Sequence, residues 1–557
     1  MDTTQSTPPA LPEFVQSYRM GFAVTAVEMA ERIGLVEYLD QAMRWDRKQC
    51  RVSPGTRLLA LMITFLVDPR AVYRIPEFYT ELDCAVLFGA DRQAADFNDD
   101  AIGRALEKLF ETTHAGQVHT GLCQQAVERL GLDPTLQLQC DTTSITLTGE
   151  YPDPGAGSQP TYGYNKDGHP DCKQLVVGVV ARTDGIPYGV DVCDGNMDDP
   201  TWSRQAIMST GSALAEDLRD TMLFVADSKL VSQDTVEDLC EAGIRFVSRL
   251  PNTFGIEQTT KAQARQRNQW ETIGVLGREK NAAVYRLSEL PGTIRDKPVR
   301  LIVIHSSALE AKAAHWEEKT LQTGALRIDA SLHAITARTF ACQADAESAW
   351  QRWQANKWLR QTGWVVIGHV VPTETTPGTP ASNTPTWRIE ASRTETNPAF
   401  LDSERFRRST FILVANDPRR SARELLTAYK TQQVVEQDNA LVKGPLGIAP
   451  LFLKDTKKID AYVYVVYLAL LLWQCMQAVM RQNQVKLGIT LPYPHGALQP
   501  APTTKRLKEI VGPIQVAVFR NRDGTLRRRR SELTLVQRQA LLLVGMDSRR
   551  FTQIPSG

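Results

Sequence analysis

The stretch that most limits what this chain can become is Ala461–Met480, AYVYVVYLALLLWQCMQAVM, twenty residues without a charge. A run of that length can cross a bilayer. It can equally form a helix that is apolar on every side, which belongs in the middle of a large core. The run is isolated and carries Gln474 and Gln477, and it lies between clusters that a soluble domain needs. We therefore read it as a core helix, with no membrane as partner. The 557-residue chain has the length for such a core and for roughly three or four domains.

Charge and cysteine usage narrow the class further. The net charge is +1, so nucleic-acid binding has to be argued from local patches. The nine cysteines form no CxxC pair. That favours a reducing cytoplasm and argues against a disulfide framework and a structural zinc site. The N-terminal MDTTQSTPPALPEF has no apolar segment, so no secretory signal is expected.

In chain order, residues 1–12 read as a disordered leader and 13–132 as a helical domain for DNA-end binding or dimerisation. At Leu136 the period changes. LQLQCD (Leu136–Asp141) reads as a strand ending in an aspartate, followed by the strands Gln174–Arg182 and Ile186–Asn196 in an antiparallel meander. A helix, the apolar strand Thr221–Asp227, a second helix and the strand Arg245–Leu250 complete a β-β-β-α-β-α-β order. Right-handed crossovers then set the first and fourth strands side by side, with Asp141 and Asp227 at one edge. Residues 251–408 read as a mainly β insertion containing a Pro/Thr-rich linker, Pro372–Thr386. The core of 133–250 resumes at 409–483, and 484–557 forms a basic C-terminal region. There, Arg520–Arg530 holds six arginines against one aspartate, and Arg527, Arg528, Arg529 and Arg530 make a plausible contact to a phosphate backbone.

Within the resumed core, YKTQQVVEQDNALVK (Tyr429–Lys443) reads as one helix entered from the strand FILVAN. Tyr429, Gln432, Glu436 and Lys443 then fall near one face. A solvated charged face is the plain alternative. Taken singly, a strand-end aspartate is usually a turn or cap residue. Asp141, Asp227 and Glu436 in strand, strand, helix order are harder to dismiss. Hard oxygen ligands of this kind hold two Mg²⁺ ions about 3.5–4 Å apart for phosphodiester chemistry, with Mn²⁺ able to substitute. Asn196 and Asp199 in GNMDD fit either a turn or a role at that edge. His169 and Cys172 lack a partner pair for a metal, and buried core is the plainer role for Trp270, Trp316, Trp350 and Trp353.

Several ordered blocks resemble one family. Tyr429-x2-Gln432-x3-Glu436-x6-Lys443 resembles the Y-x2-R-x3-E-x6-K signature of DDE transposases of the "insertion sequence four" group, most of all its long "sixteen thirty-four" branch. CDTTSITLTG, GYNKDGHPDCKQLVVGVVARTDGIPYGVDVCDGNMDD, VADSKLVS and GPLGIAPLFLKD resemble further blocks of that group. The resemblance implies an α/β ribonuclease-H-like core interrupted by the insertion. It also implies a transposase that cuts the terminal inverted repeats of its element and joins the 3′-hydroxyl ends to target DNA, as a homodimer when two ends are synapsed. Asp141, Asp227 and Glu436 carry over as metal ligands, and Tyr429 and Lys443 as contacts to the transferred strand. Gln432 stands where the group has arginine, and it brings neither charge nor a bidentate fork. Lys430 is the candidate to compensate. The alternatives from the same sequence are a transposase-derived DNA-binding protein without chemistry and a ribonuclease-H-like nuclease without strand transfer.

Overall fold

The structure, a computed structural model, describes residues 13–112, 115–151, 156–214, 216–276, 282–373, 386–431, 433–444, 446 and 453–555. The expected leader 1–12, most of the Pro/Thr-rich linker and Gln432 lie outside the described residues. The chain divides into two compact units, one running through Phe246 and resuming at Ala428, the other spanning Val247–Thr427.

The first unit is built on β1 (Gln137–Leu147), β2 (Lys173–Arg182), β3 (Pro187–Cys193) and β4 (Leu223–Ala226), with β5 (Phe246–Arg249) opening where the unit ends. β1 pairs antiparallel with β2, from Leu138↔Arg182 to Leu147↔Lys173, and β2 pairs antiparallel with β3. β4 pairs parallel to β1 on the other side, with Gln137↔Leu223 and Gln139↔Val225. Phe224 N–H donates to the Arg245 carbonyl at 2.9 Å, which sets the approach to β5 against β4. The order 3-2-1-4-5, three antiparallel strands and then a parallel fourth, is that of the ribonuclease-H-like fold. One close approach depends on glycine. A Cβ at Gly178 of β2 would come within 1.9 Å of the Trp202 indole, which lies on this face and donates to Asp191 at 3.0 Å.

Two helices follow in the same unit, α1 (Gln433–Lys443) and α2 (Thr456–Leu487). α2 contains the charge-free run. Among the described residues it is the one helix long and apolar enough to cross a membrane, and 89% of its most apolar window is buried inside the fold. It is a core helix. Trp473 meets Phe22 edge to face with ring centroids 5.9 Å apart, and Phe65 meets Tyr462 at 5.1 Å. N-terminal helices therefore cover the same core as the sheet. Burying this much apolar surface is what stabilises the unit.

Two expectations are corrected here. Residues 13–19 are a strand and not part of a helix: Glu13–Arg19 pairs antiparallel with Gln515–Arg520, which pairs in turn with Leu526–Arg530. Phe14, Val15 and Tyr18 are strand-favouring residues, and a register shift between Phe14 and Gln16 breaks any simple apolar–polar alternation. The helical region and the basic C-terminal region share one compact unit with β1–β4.

The second unit sets Thr410–Ala415 antiparallel between residues 247–249 and Lys297–Ser306, with Val284–Ile294 and Glu271–Val275 beyond. A smaller sheet joins Thr339–Phe340, Trp387–Thr396 and Trp364–Pro372. The stretch read as mainly β also carries substantial helix, including the 30-residue Ser307–Thr336. Ile328, Leu332, Trp350, Trp353 and Ile389 form its buried cluster. Trp350 and Trp353 stack at 5.1 Å, and Trp353 donates to Ser331 Oγ at 2.7 Å, so these two indoles are core.

Candidate active site

β1 does not stop at Asp141, as the sequence reading has it. It runs on to Leu147, with Asp141 opposite Val179 of β2. The β-branched residues of TTSITL keep the strand extended past an aspartate that is itself a poor strand former. What ends at this point is the pairing with β4. Gln139 faces Val225 in the last parallel register, and Asp141 and Asp227 each come two residues later. Two residues along a strand return to the same face. The two aspartates are thus presented together where the parallel ladder opens.

Glu436 reaches the same place through a broken helix. The helix that carries Tyr429 ends at Lys430, and α1 begins at Gln433, so Tyr429–Lys443 is two helices and not one. Thr431 supplies the physical reason. Its hydroxyl donates to the Ala428 carbonyl at 2.7 Å and accepts from the amides of Gln137 at 3.2 Å and Gln139 at 2.8 Å. The break is fastened to β1 two residues before Asp141. Glu436 then lies in the first turn of α1, where the helix dipole favours an anion. Asp141, Asp227, Glu436, Tyr429 and Lys430 line one cavity of about 290 Å³ together with Cys140 and Val435.

Several supporting residues were not singled out by the sequence reading. Lys166 Nζ donates to the carbonyl and hydroxyl of Thr142, both at 2.7 Å. It lies 3.1 Å from Asp199 and 3.9 Å from Asp141. Thr142 also donates its hydroxyl to Asp199. On the other side, Asn439 donates to Asp141 Oδ2 at 3.4 Å while accepting from the Tyr467 hydroxyl at 3.3 Å, which links α2 to the site. Asn439 stands three residues after Glu436 on α1, a spacing that puts it on the same face. Lys166 sits in the GYNKDG block, where only its charge signals a role.

Burial is the main force raising the Asp141 carboxyl above its usual range. Lys166 opposes the rise, and the nearby charges of Asp199 and Glu436 add to it. A cation among these carboxylates would relieve that crowding. The donor set is all oxygen, because burial pushes the Cys140 thiol up to about 12 and keeps it protonated. The chemistry of the donors therefore fits a hard divalent cation. Among the described residues, no group of three or more His, Cys, Asp or Glu side chains is gathered closely enough to hold one unaided. The three carboxylates surround an open cavity and do not form a closed cage.

The remaining sequence candidates are placed as follows. Lys443 Nζ is paired with Asp167 Oδ1 at 2.6 Å, and Lys430 is exposed at the cavity. Arg528 is held by Asp83 through two bonds of 2.7 and 3.3 Å and is largely buried. Arg527 and Arg529 are exposed, and Arg530 donates to the Ser531 carbonyl. His169 and Cys172 meet through a backbone turn, with the Cys172 N–H on the His169 carbonyl at 3.2 Å.

A family model described as a transposase DDE domain matches residues 138–472. A second, described as a domain of unknown function (DUF4277), matches residues 19–123. No curated protein sequence matches the chain. Among solved structures, the cryo-EM structure of a piggyBac transposase synaptic complex with hairpin DNA is similar over 85% of this chain and 79% of that one. The TM-score is 0.34 and the identity 8%.

Proposed function

Because this chain belongs to the family of transposase DDE domains, whose model spans more than half of it, we propose that it cuts DNA at the ends of a mobile element and joins the freed 3′-hydroxyls to target DNA. The observation that carries the reading is the single cavity lined by Asp141, Asp227 and Glu436, with Tyr429 and Lys430 on its wall. The three carboxylates would hold two Mg²⁺ ions, with Mn²⁺ able to replace them. When bound, such ions polarise a phosphodiester and lower the pKa of an attacking water or 3′-hydroxyl.

The chain's own residues supply position and charge. Asp141 is fixed in a strand between Lys166 and Asn439, so its carboxylate enters each step with its orientation set. Tyr429 and Lys430 face the same space and would contact the phosphate of the strand being cut, Lys430 supplying the charge that Gln432 cannot. Lys443, about two helix turns beyond Glu436 at the far end of α1, would hold the next phosphate. Arg527 and Arg529, exposed on one strand, would contact the backbone elsewhere. Bringing two element ends together calls for two copies of the chain, hence a dimer on DNA, and we place this work in the bacterial cytoplasm at the nucleoid.

The test is DNA cleavage by the purified protein with Mg²⁺. Asp227→Asn and Glu436→Gln are expected to abolish strand cleavage while leaving duplex binding near the wild-type level. Mg²⁺-dependent cleavage retained in both variants would refute the assignment. Cleavage with no 3′ end joined to a second duplex would reduce the function to that of a nuclease.

A further inference from the structure

Away from the carboxylates, within the unit Val247–Thr427, five cations converge on one cavity of about 260 Å³. Arg249, Lys261, Lys312, Arg407 and Arg408 line it, with Trp316, and no carboxylate does among the described residues. They come from one strand and three helices, Gly255–Arg267, Ser307–Thr336 and Pro398–Ser409, so the convergence is a product of the fold and not of a local basic run.

Most of the cations are held in place from behind. Glu257 pairs with Lys261 at 2.6 Å, and Lys261 Nζ also donates to the carbonyls of Arg407 at 3.0 Å and Thr410 at 2.9 Å. Glu404 takes the Arg407 fork at 2.9 and 2.8 Å and Arg408 at 3.3 Å. Arg408 lies over the Trp316 ring at 3.8 Å, and Arg249 lies over Phe411 at 5.5 Å. Among the described residues, neither Arg249 nor Lys312 is paired with a carboxylate. Two carboxylates against five cations leave a surplus of three positive charges around one small space. The crowding is felt: burial lowers the Lys261 pKa first, and the charges of Arg407 and Arg249 lower it further.

Like charges fixed this close oppose folding, and an anion in the cavity would remove the opposition. We propose that this cavity is a phosphate site that takes a backbone phosphate of the DNA the protein acts on. Lys261 has its three N–H donors committed and adds charge alone. Arg249, Lys312 and the remaining N–H groups of Arg407 and Arg408 are the donors that would meet a tetrahedral oxyanion. The volume fits a phosphodiester with its water and falls below the roughly 300–1,000 Å³ of pockets for larger organic ligands. Arg408 covers a face of Trp316, so on that face the indole holds the cation. The assignment of the phosphate to DNA rests on the function proposed above, whereas the site itself does not.

The experiment compares wild-type protein with the double variant Arg249→Ala, Lys312→Ala, both residues being exposed. Thermal melting is measured in inorganic phosphate and in chloride of equal ionic strength, and affinity for a random-sequence duplex is measured against salt. The expected result is a phosphate-dependent rise in Tm for wild type that the variant loses, with a duplex-binding salt slope about 1 lower in the variant, as for one phosphate. A lost phosphate response with an unchanged slope would mean a site for free phosphate and overturn the DNA assignment. No phosphate response and no change of slope would overturn the site. Wild-type protein that fails to bind any duplex would refute the proposed function, while the melting data would still decide the cavity.

Discussion

Lys443 Nζ lies 2.6 Å from Asp167 Oδ1, an ion pair that ties the last turn of α1 to the loop ahead of β2. If Lys443 contacts phosphate, Asp167 occupies the place of that phosphate in the protein alone. Asp167→Asn is expected to tighten duplex binding about two- to fivefold at low ionic strength, the size of a half-exposed ion pair. The gain should fade as salt screens the pair. Binding that weakens instead would show that Asp167 positions the lysine for DNA and does not compete with it.

The preceding residue does the converse. Lys166 places an ammonium 3.1 Å from Asp199 and 3.9 Å from Asp141, where a cation would also be drawn. Lys166→Met should therefore bind Mn²⁺ more tightly than wild type, and Lys166→Arg should remain near wild type, both read by Mn²⁺ electron paramagnetic resonance without DNA. A methionine variant that binds Mn²⁺ more weakly would make Lys166 an orienting partner of Asp141 only. No Mn²⁺ binding by wild type, or binding untouched by Asp141→Asn, would instead count against Asp141 as a ligand.

How far these relationships were legible in the chain itself depends on their range. The strand order around Asp141 and Asp227 follows from local periodicity and right-handed crossover, and the structure has it. The α2 core helix was legible too, because a charge-free run that long has few destinations. The break at Thr431 was not. Its cause is a pair of amides, Gln137 and Gln139, almost three hundred residues earlier, and nothing in TQQVV signals them. The N-terminal strand was missed for a similar reason, since its partner is Gln515–Arg520 at the other end of the chain. Charge alone marked Arg527–Arg530 as one patch, whereas strand alternation divides it by face.

That division is testable. Arg528 is bound through two nitrogens to Asp83, and both side chains are about nine-tenths buried, at 10% and 8% exposed. Arg528→Ala leaves Asp83 buried without its partner and is expected to cost about 3 kcal/mol in denaturant unfolding. Arg527→Ala and Arg529→Ala should stay within about 0.5 kcal/mol of wild type. In duplex binding each should lower the salt slope by about 1. Equal stability losses at all three positions would show that the strand, and not the Asp83 pair, sets the cost.

Asp460, near the start of α2, carries a pH signature. It accepts from the Ser158 N–H at 2.7 Å and the Ser158 hydroxyl at 2.9 Å, yet burial outweighs these bonds and pushes its carboxyl up to about 6. Between the unfolded value, near 4, and about 6, the folded protein keeps a proton that the unfolded chain has released. This group's contribution is complete below the unfolded pKa and is lost as pH rises through about 6. Asp460→Asn keeps an oxygen for Ser158 and removes the buried charge. The variant should be more stable than wild type by about 1–3 kcal/mol at about pH 7.5, with the difference shrinking towards about pH 4. Urea unfolding across that range measures it, and a difference that does not change with pH would mean that the Asp460 carboxylate is already compensated in the folded protein.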